Sequence, residues 1–102
     1  MISWSSHIYL GKSIKRRRDK IIASINNKEL VYGVYCITFA SHPDNLFDII
    51  SAHELLYPHY QNSQIHIVGL AGGKMEAYEL VQDMLMEVYK KTGKFDVRTY
   101  FT

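Results

Sequence analysis

Hydrophobic and polar positions follow their most regular pattern between Gln64 and Thr102. A short run rich in β-branched residues at 65–68 predicts a strand. After the pair Gly72-Gly73, apolar residues recur at the spacing of one helical face: Ala77, Leu80, Val81, Met84, Leu85 and Val88. Gly93 is placed to end that helix. Alternation at 95–101 predicts a last strand, so this stretch indicates a strand–helix–strand unit.

The part of the chain before residue 41 carries two strand patterns with a helix pattern between them. Residues 2–10 alternate apolar and polar side chains, which favours a strand, while the serine pair at 5–6 also fits the start of a helix. Residues 12–26 keep one apolar helical face. Leu30–Ala40 has apolar groups on both faces, which is typical of a central strand. Gly33 inside it indicates a bulge or a close approach of another group.

Residues 41–63 keep no sustained period, and turn-forming residues interrupt them. We therefore predict an irregular insert at about 41–63. The order of elements is strand, helix, strand, insert, strand, helix, strand, which is that of ferredoxin-like domains. The predicted fold class is α+β: a two-layer sandwich with two main helices on one face of a mixed or antiparallel sheet of roughly three or four strands. A ferredoxin-like arrangement with an insert is one form of it.

Length, charge and cysteine content narrow the class of protein. A chain of 102 residues predicts a single α+β domain spanning 1–102. The net charge of +2 is too small to indicate nucleic-acid binding by itself. A single cysteine, Cys36, excludes an intrachain disulfide and fits a reducing compartment. Without a secretory pattern at the start or a run of about 20 apolar residues, we expect a cytoplasmic protein with no membrane partner and no cofactor.

The glycine turn before the long predicted helix is the first candidate site. Gly72, Gly73 and Lys74 lie where a strand gives way to a helix. Backbone N–H groups at a helix start attract anions, and glycine lets a phosphate approach closely. The spacing matches neither the P-loop nor the dinucleotide-binding pattern. A tight turn explains the same glycines, so the pattern predicts no more than a simple phosphate or carboxylate site.

Basic residues crowd the first predicted helix and are relieved only by Asp19. They are Lys12, Lys15, Arg16, Arg17, Arg18 and Lys20. Such a run binds nucleic-acid phosphates or an acidic partner in some proteins. A helix face that simply lies in water has the same pattern. Nucleic-acid binding is therefore an alternative and not the favoured interpretation.

Histidine and acidic residues gather in the middle of the chain without forming a catalytic pattern. His53 and His59 are the candidates for a metal ion, but Pro58 lies between them and they cannot share a helix face as a zinc motif requires. Residue types of a catalytic triad occur near Ser41 without the glycines that surround such a nucleophile. Cys36 lies mid-strand with no basic neighbour, which predicts a buried, inert thiol. The sequence assigns no catalytic residue and favours a protein that is not an enzyme.

One face of the predicted sheet is left uncovered by the two helices. The residues expected on it are Tyr32, Val34, His66, Val68, Arg98 and Tyr100. Aromatic and apolar groups beside an arginine are typical of a protein interface, and such a face is too apolar to lie in water. A second copy of the chain would cover it. The sequence thus favours a small cytoplasmic binding or interaction module acting as a homodimer. The alternatives are a nucleic-acid-associated protein and an anion binder or enzyme with its site at 72–74.

Overall fold

A mixed sheet of four strands forms the centre of the protein. The computed structural model describes residues 1–101, so Thr102, the last residue of the predicted domain, lies outside the described residues. The strands are β1 (Ile2–Leu10), β2 (Tyr35–Phe39), β3 (Phe47–Ser51) and β4 (Ile65–Ala71). They lie in the order β1-β4-β2-β3, with β1 parallel to β4 and β2 antiparallel to both of its neighbours. The strand favoured for residues 2–10 is confirmed.

Short helical segments connect the strands, and one long helix follows the last strand. The α-helices are α1 (Arg18–Asn26), α2 (Pro58–Gln61), α3 (Lys74–Thr92) and α4 (Val97–Tyr100). A 3-10 helix at Lys12–Arg17 leads into α1, and a second at Ala52–Leu56 comes before α2. Within residues 1–101, none of these helices has the length and apolar character needed to cross a membrane.

The α+β class and the mixed sheet are confirmed, but the structure places α1 and α3 on opposite faces of the sheet. Ile25 of α1 packs in one core cluster with Cys36 of β2. Val88 of α3 packs in a second cluster with Ile37, the next residue of β2. Successive side chains of a strand point to opposite faces, so the sheet lies between two helical layers. This placement, together with the position of β1 at the edge of the sheet, differs from the ferredoxin-like arrangement, in which both helices lie on one face.

The long helix α3 follows the sequence pattern closely. Its inward stripe includes Ala77, Met84 and Val88, all fully buried. Gly93 has a left-handed backbone with φ of 72° and ends the helix, as predicted. Packing of this stripe over β2 and β4 buries the apolar side of the sheet that α1 does not cover.

The predicted last strand at 95–101 is wrong, because the chain forms the short helix α4 there. Val97 and Phe101 are both 4% exposed and join the core cluster under α3. These two residues are four positions apart, so one helical turn points both inward. Apolar residues at 95, 97 and 101 fit an alternating pattern, and those at 97 and 101 also fit an i, i+4 pattern, which explains the error.

The segments on either side of residue 41 also differ from the prediction. The strand expected over Leu30–Ala40 is confined to β2, and Gly33 lies before it with φ of 74° and no neighbouring atom within 4 Å of a built Cβ. Gly33 therefore serves a turn and not a bulge inside a strand. The predicted irregular insert contains β3, which pairs along its whole length with β2. The region 41–63 thus contributes one strand to the sheet, and short helical segments follow that strand.

Candidate functional site

A cleft of about 530 Å³ opens where β1 and β4 begin and β2 ends. This volume lies within the range of about 300–1,000 Å³ that is typical of small-molecule sites. The polar and aromatic residues of its walls that bear on binding are Ser3, Phe39, Ser41, Asp48, His66 and Arg98. They come from all four strands, the β2–β3 loop and α4, so the cleft exists only once the sheet is assembled.

His66 of β4 supplies the most unusual polar atom in the cleft wall. Its Nδ1 lies 2.7 Å from the hydroxyl oxygen of Ser3 on the neighbouring strand. Its Nε2 is buried and has no hydrogen-bond partner among residues 1–101. A buried polar nitrogen left unpaired costs about 1–3 kcal/mol, so few folded proteins keep one without a use. A ligand that paired with Nε2 would remove that cost, and because the atom is almost entirely covered, such pairing requires a small movement of the groups around it.

Aromatic rings from three adjacent strands lie side by side next to this histidine. The ring of Phe39 on β2 stacks on His66, with centroids 5.3 Å apart and planes 13° apart. It also stacks on Phe47 of β3, with centroids 6.3 Å apart and planes 12° apart. The stack holds the imidazole in one orientation from one side while Ser3 holds it from another. His66 is therefore a preorganised group.

Arg98 brings a permanent positive charge to the same place. Its guanidinium carbon lies 5.2 Å from the centroid of the Phe39 ring, a cation–π distance. One of its nitrogens donates to the carbonyl oxygen of Ala40 at 2.5 Å. The guanidinium carries further N–H donors that these contacts do not use. Arg98 and His66 thus meet at one phenylalanine ring, although they lie 32 positions apart in the sequence.

The position of Arg98 depends on how α4 is attached to the rest of the protein. The carboxylate of Glu87 on α3 accepts hydrogen bonds from the hydroxyls of Tyr9 at 2.5 Å and Tyr100 at 2.9 Å. The Tyr9 hydrogen bond holds the pKa of Glu87 below its ordinary value, and burial raises the pKa of Tyr9. Glu87 therefore ties β1, α3 and α4 together, and α4 carries Arg98 on its exposed side.

An acidic group that also lines the cleft is already engaged by the protein. Asp48 of β3 accepts from the backbone amide of Ser41 at 3.0 Å and from its hydroxyl at 3.3 Å. These bonds fix the turn between β2 and β3. They also place a negative charge in the cleft that Arg98 and His66 line. A bound anion would lie towards the Arg98 side, because like charges repel.

The predicted anion-binding turn at Gly72, Gly73 and Lys74 holds a carboxylate from its own helix. Glu76 accepts from the amide of Gly72 at 2.5 Å and from the hydroxyl of Ser13 at 2.9 Å. The Gly72 amide is the main reason that the pKa of Glu76 is lowered. A Cβ atom at position 72 would lie 2.1 Å from the hydroxyl oxygen of Ser13, so close packing requires glycine there. An external anion would have to displace Glu76.

The basic residues predicted for nucleic-acid binding are spread over two helical segments. Lys12, Lys15, Arg16 and Arg17 belong to the 3-10 helix, while Arg18 and Lys20 begin α1. All are exposed except Arg18, which is half-buried and lies 2.6 Å from Asp19. Ile14, in the same segment, is fully buried and anchors it to the core. The charged side chains therefore surround a fixed segment that faces water.

The residues predicted for a dimer interface do not share one surface. Val34 and Val68 are buried in the core clusters on opposite sides of the sheet. Tyr32 is exposed ahead of β2, Tyr100 lies on α4, and His66 and Arg98 line the cleft. Helical layers cover both faces of the sheet, α1 on the Val34 side and α3 on the Val68 side, so the sheet has no open face of the kind on which this prediction rested. The homodimer itself stays a prediction, but it needs another surface.

The remaining candidates are held by neighbouring groups. His53 lies 2.8 Å from the hydroxyl of Ser51, and His59 lies on α2 with its ring against Tyr60. Over residues 1–101, no cluster of three or more His, Cys, Asp or Glu side chains has the geometry to hold a metal ion. Cys36 is fully buried, and burial raises the pKa of its thiol to about 12. The prediction of a buried thiol is thus confirmed.

Sequence reasoning found His66 and Arg98 but assigned them to a different kind of site. It missed Ser3 and Phe39 altogether, because nothing in the local pattern shows that the starts of β1 and β4 meet the end of β2. The sequence signal for this site was indirect: His66 lies inside an apolar strand, and a polar group in such a strand needs a partner. No family model, no curated protein and no solved structure matches this chain.

Proposed function

We propose that this protein is a small binding module that takes an anionic ligand in the cleft and acts as a homodimer. The ligand carries a carboxylate or phosphate group and lies between Arg98 and His66. The observation that carries this proposal is the buried, unpartnered Nε2 of His66 on a cleft wall that also holds a guanidinium. The ring of Phe39 beside both groups supplies an apolar surface for the rest of a small ligand.

The contacts of the two groups explain why an anion fits best. A guanidinium only donates hydrogen bonds, so its free N–H groups need an acceptor. If the Ser3 hydroxyl donates to Nδ1 of His66, then Nε2 carries the proton and also needs an acceptor. Charge-assisted hydrogen bonds to a carboxylate or phosphate are shorter and about twice as strong as neutral ones. One anion therefore satisfies both groups at once.

Replacing Arg98 or His66 is expected to weaken the binding of small anions to the cleft. The probes are inorganic phosphate and acetate, titrated into the isotope-labelled protein while backbone amide signals are followed by NMR. We expect shifts concentrated at residues 38–41, His66 and Arg98. Arg98→Ala and His66→Phe should each raise the dissociation constant by about tenfold or more, since each removes a hydrogen bond of about 1.5–3 kcal/mol to a charged group.

The matched control for this titration is Lys94→Ala. Lys94 is an exposed cation in the turn between α3 and α4, and it does not line the cleft. Its removal changes the net charge by the same amount as Arg98→Ala. Because Lys94 does not line the cleft, its removal should leave the affinity for the anion unchanged. Equal weakening by all three variants, or shifts confined to the basic segment before residue 21, would reject the cleft as the site.

We propose binding rather than catalysis, in the cytoplasm. Cys36 is buried, and its raised pKa keeps the thiol protonated. The Ser41 hydroxyl donates to Asp48, which the Ser41 amide also holds, and this contact does not supply the histidine that a catalytic triad places beside its serine. A free, buried thiol also suits a reducing compartment. Fractionation of cells that produce the tagged protein tests the location.

Nucleic-acid binding is a second candidate, supported by the exposed basic segment. Lys15, Arg16 and Arg17 are exposed and lie on one 3-10 helix that the buried Ile14 holds in place. Fixed cations of this kind can neutralise successive phosphates and release counterions. This candidate uses a surface separate from the cleft, so the two can be tested independently.

Charge reversal at Lys15, Arg16 and Arg17 should abolish binding to single-stranded RNA if this second candidate holds. Fluorescence anisotropy with a labelled oligonucleotide at several salt concentrations measures it, and log K should fall with log[salt] by about 0.7 per phosphate contacted. The matched control reverses Lys90 and Lys91 in the last turn of α3 and Lys94 in the turn that follows it. Equal loss in both triple variants indicates nonspecific attraction, and an absence of binding at low salt rejects this candidate.

A further inference from the structure

The outward side of α3 carries a stripe of large apolar side chains that the fold leaves in water. Its members are 47–70% exposed: Met75, Tyr78, Met86 and Tyr89. At about 100° per residue these positions fall within about 80° of the helix circumference, on the side away from the buried stripe of Met84 and Val88. Phe95 extends the patch beyond the helix, because its ring stacks on Tyr89 with centroids 5.1 Å apart.

The spacing of this stripe is the same read in either direction. From Met75 the next members lie three, eleven and fourteen positions on. Gln82 is the midpoint between Met75 and Tyr89 and also between Tyr78 and Met86. A two-fold axis through Gln82, perpendicular to the helix, therefore superposes Met75 on the position of Tyr89 and Tyr78 on that of Met86. In a two-fold interface residue i contacts residue j and residue j contacts residue i, and this spacing provides two such pairs.

Two antiparallel copies of α3 would bring unlike side chains together in every pair. Met75 of one protomer would meet Tyr89 of its partner, and Tyr78 would meet Met86. Methionine sulfur packs favourably against the edge of an aromatic ring. At the axis the side-chain amide of Gln82 can donate to and accept from its own copy. Antiparallel helices also place their dipoles in a favourable arrangement.

The exposed area of the patch suits a weak dimer. Large apolar side chains that are about half exposed contribute roughly 100 Å² each, so this patch offers about 500 Å² per protomer. Stable interfaces bury about 800 Å² per partner, and transient ones bury less. The acidic Glu79 and Asp83 flank the stripe close to the axis and would lie near their own copies, which weakens the association further.

We infer that the homodimer forms through the outward face of α3, as an antiparallel pair of helices about Gln82. This inference rests on the homodimer part of the proposed function and names its surface; it is independent of the ligand in the cleft. The occupant of the stripe is a second copy of this chain, because the stripe is complementary to itself.

Sedimentation velocity from about 10 µM to about 1 mM gives the first test of this inference, and we expect a concentration-dependent dimer. The variant Tyr78→Lys/Met86→Lys should raise the dissociation constant at least tenfold with an unchanged melting curve. Its control, Ala23→Lys/Asn27→Lys, adds the same charge on the other side of the sheet at exposed positions and should dimerise like the wild type.

Disulfide crosslinking locates the axis. Gln82→Cys should form an intermolecular disulfide on mild oxidation, since a residue on a two-fold axis meets its own copy. Ala23→Cys is the control that should form no intermolecular disulfide, and the native Cys36 is fully buried and does not interfere. A wild type that stays monomeric at about 1 mM overturns this surface and the homodimer together. A dimer that survives Tyr78→Lys/Met86→Lys, or equal crosslinking at both cysteines, overturns the surface and leaves the homodimer standing.

Discussion

Replacing Met84 with alanine is expected to lower the free energy of unfolding by about 3 kcal/mol. Met84 is fully buried at the centre of α3, where it packs in one cluster with Ile37 of β2 and Val68 of β4. Truncation leaves a cavity between the helix and the sheet that neither element can close without bending. Since a domain of this size is stable by roughly 5–15 kcal/mol, the variant should melt well below the wild type.

The control for this experiment is Met86→Ala on the same helix. Met86 is 52% exposed and points away from the sheet, so its truncation should change the free energy of unfolding by less than about 0.5 kcal/mol. Both values come from urea unfolding at a protein concentration low enough to keep the chain monomeric. Similar losses in the two variants would mean that α3 does not pack on the sheet through the face described above.

Replacing Glu76 with glutamine is expected to cost about 1–2 kcal/mol at neutral pH. The charged carboxylate joins α3 to the turn before it and to the 3-10 helix. It accepts from the amide of Gly72 at the start of α3 and from the amide and hydroxyl of Ser13 in the 3-10 helix. Glutamine has an amide NH₂ group in place of one carboxylate oxygen, and NH₂ cannot accept from these donors, so at least one bond is lost.

The pH dependence of that difference distinguishes a charged interaction from simple packing. Hydrogen bonds from the protein lower the pKa of Glu76 relative to the ordinary glutamate value of 4.5. A lowered pKa means that the stabilisation is fully present above the unfolded-state pKa and is lost as the pH falls through the folded-state pKa. The wild type and Glu76→Gln should therefore converge in acid. Glu79→Gln, at an exposed position on the same helix, should match the wild type at every pH.

The sequence predicted the parts of the fold whose local pattern has a single interpretation. The long helix α3 has an unbroken apolar stripe and a glycine at its end, and both features survive in the structure. The segment around Val97 and Phe101 has two consistent interpretations, and only the space beside α3 decides that it forms a helical turn. Whether helices cover one face of the sheet or both likewise depends on the whole chain. Apolar groups on both sides of β2 did indicate that this strand is buried.

The cleft could not be predicted as a site, because its groups come together only through the order of the strands. Ser3 and His66 are 63 positions apart and become neighbours through the parallel pairing of β1 with β4. Arg98 reaches Phe39 only because the last segment is a helical turn and not a strand. Residue types alone indicated a polar group in need of a partner at His66; where that partner would come from depended on topology.

The parallel pairing of β1 with β4 also determines when the protein can finish folding. Ile2 pairs with Ile65, so during synthesis the first strand has no place in a sheet until most of the chain has left the ribosome. Contacts so distant in sequence close slowly, whereas the β2–β3 hairpin joins residues only a few positions apart. In the interval, the apolar side chains of β1 are open to association with other nascent chains. The cleft, which needs the starts of both β1 and β4, is among the last features to form, so a chain able to bind there has completed its sheet.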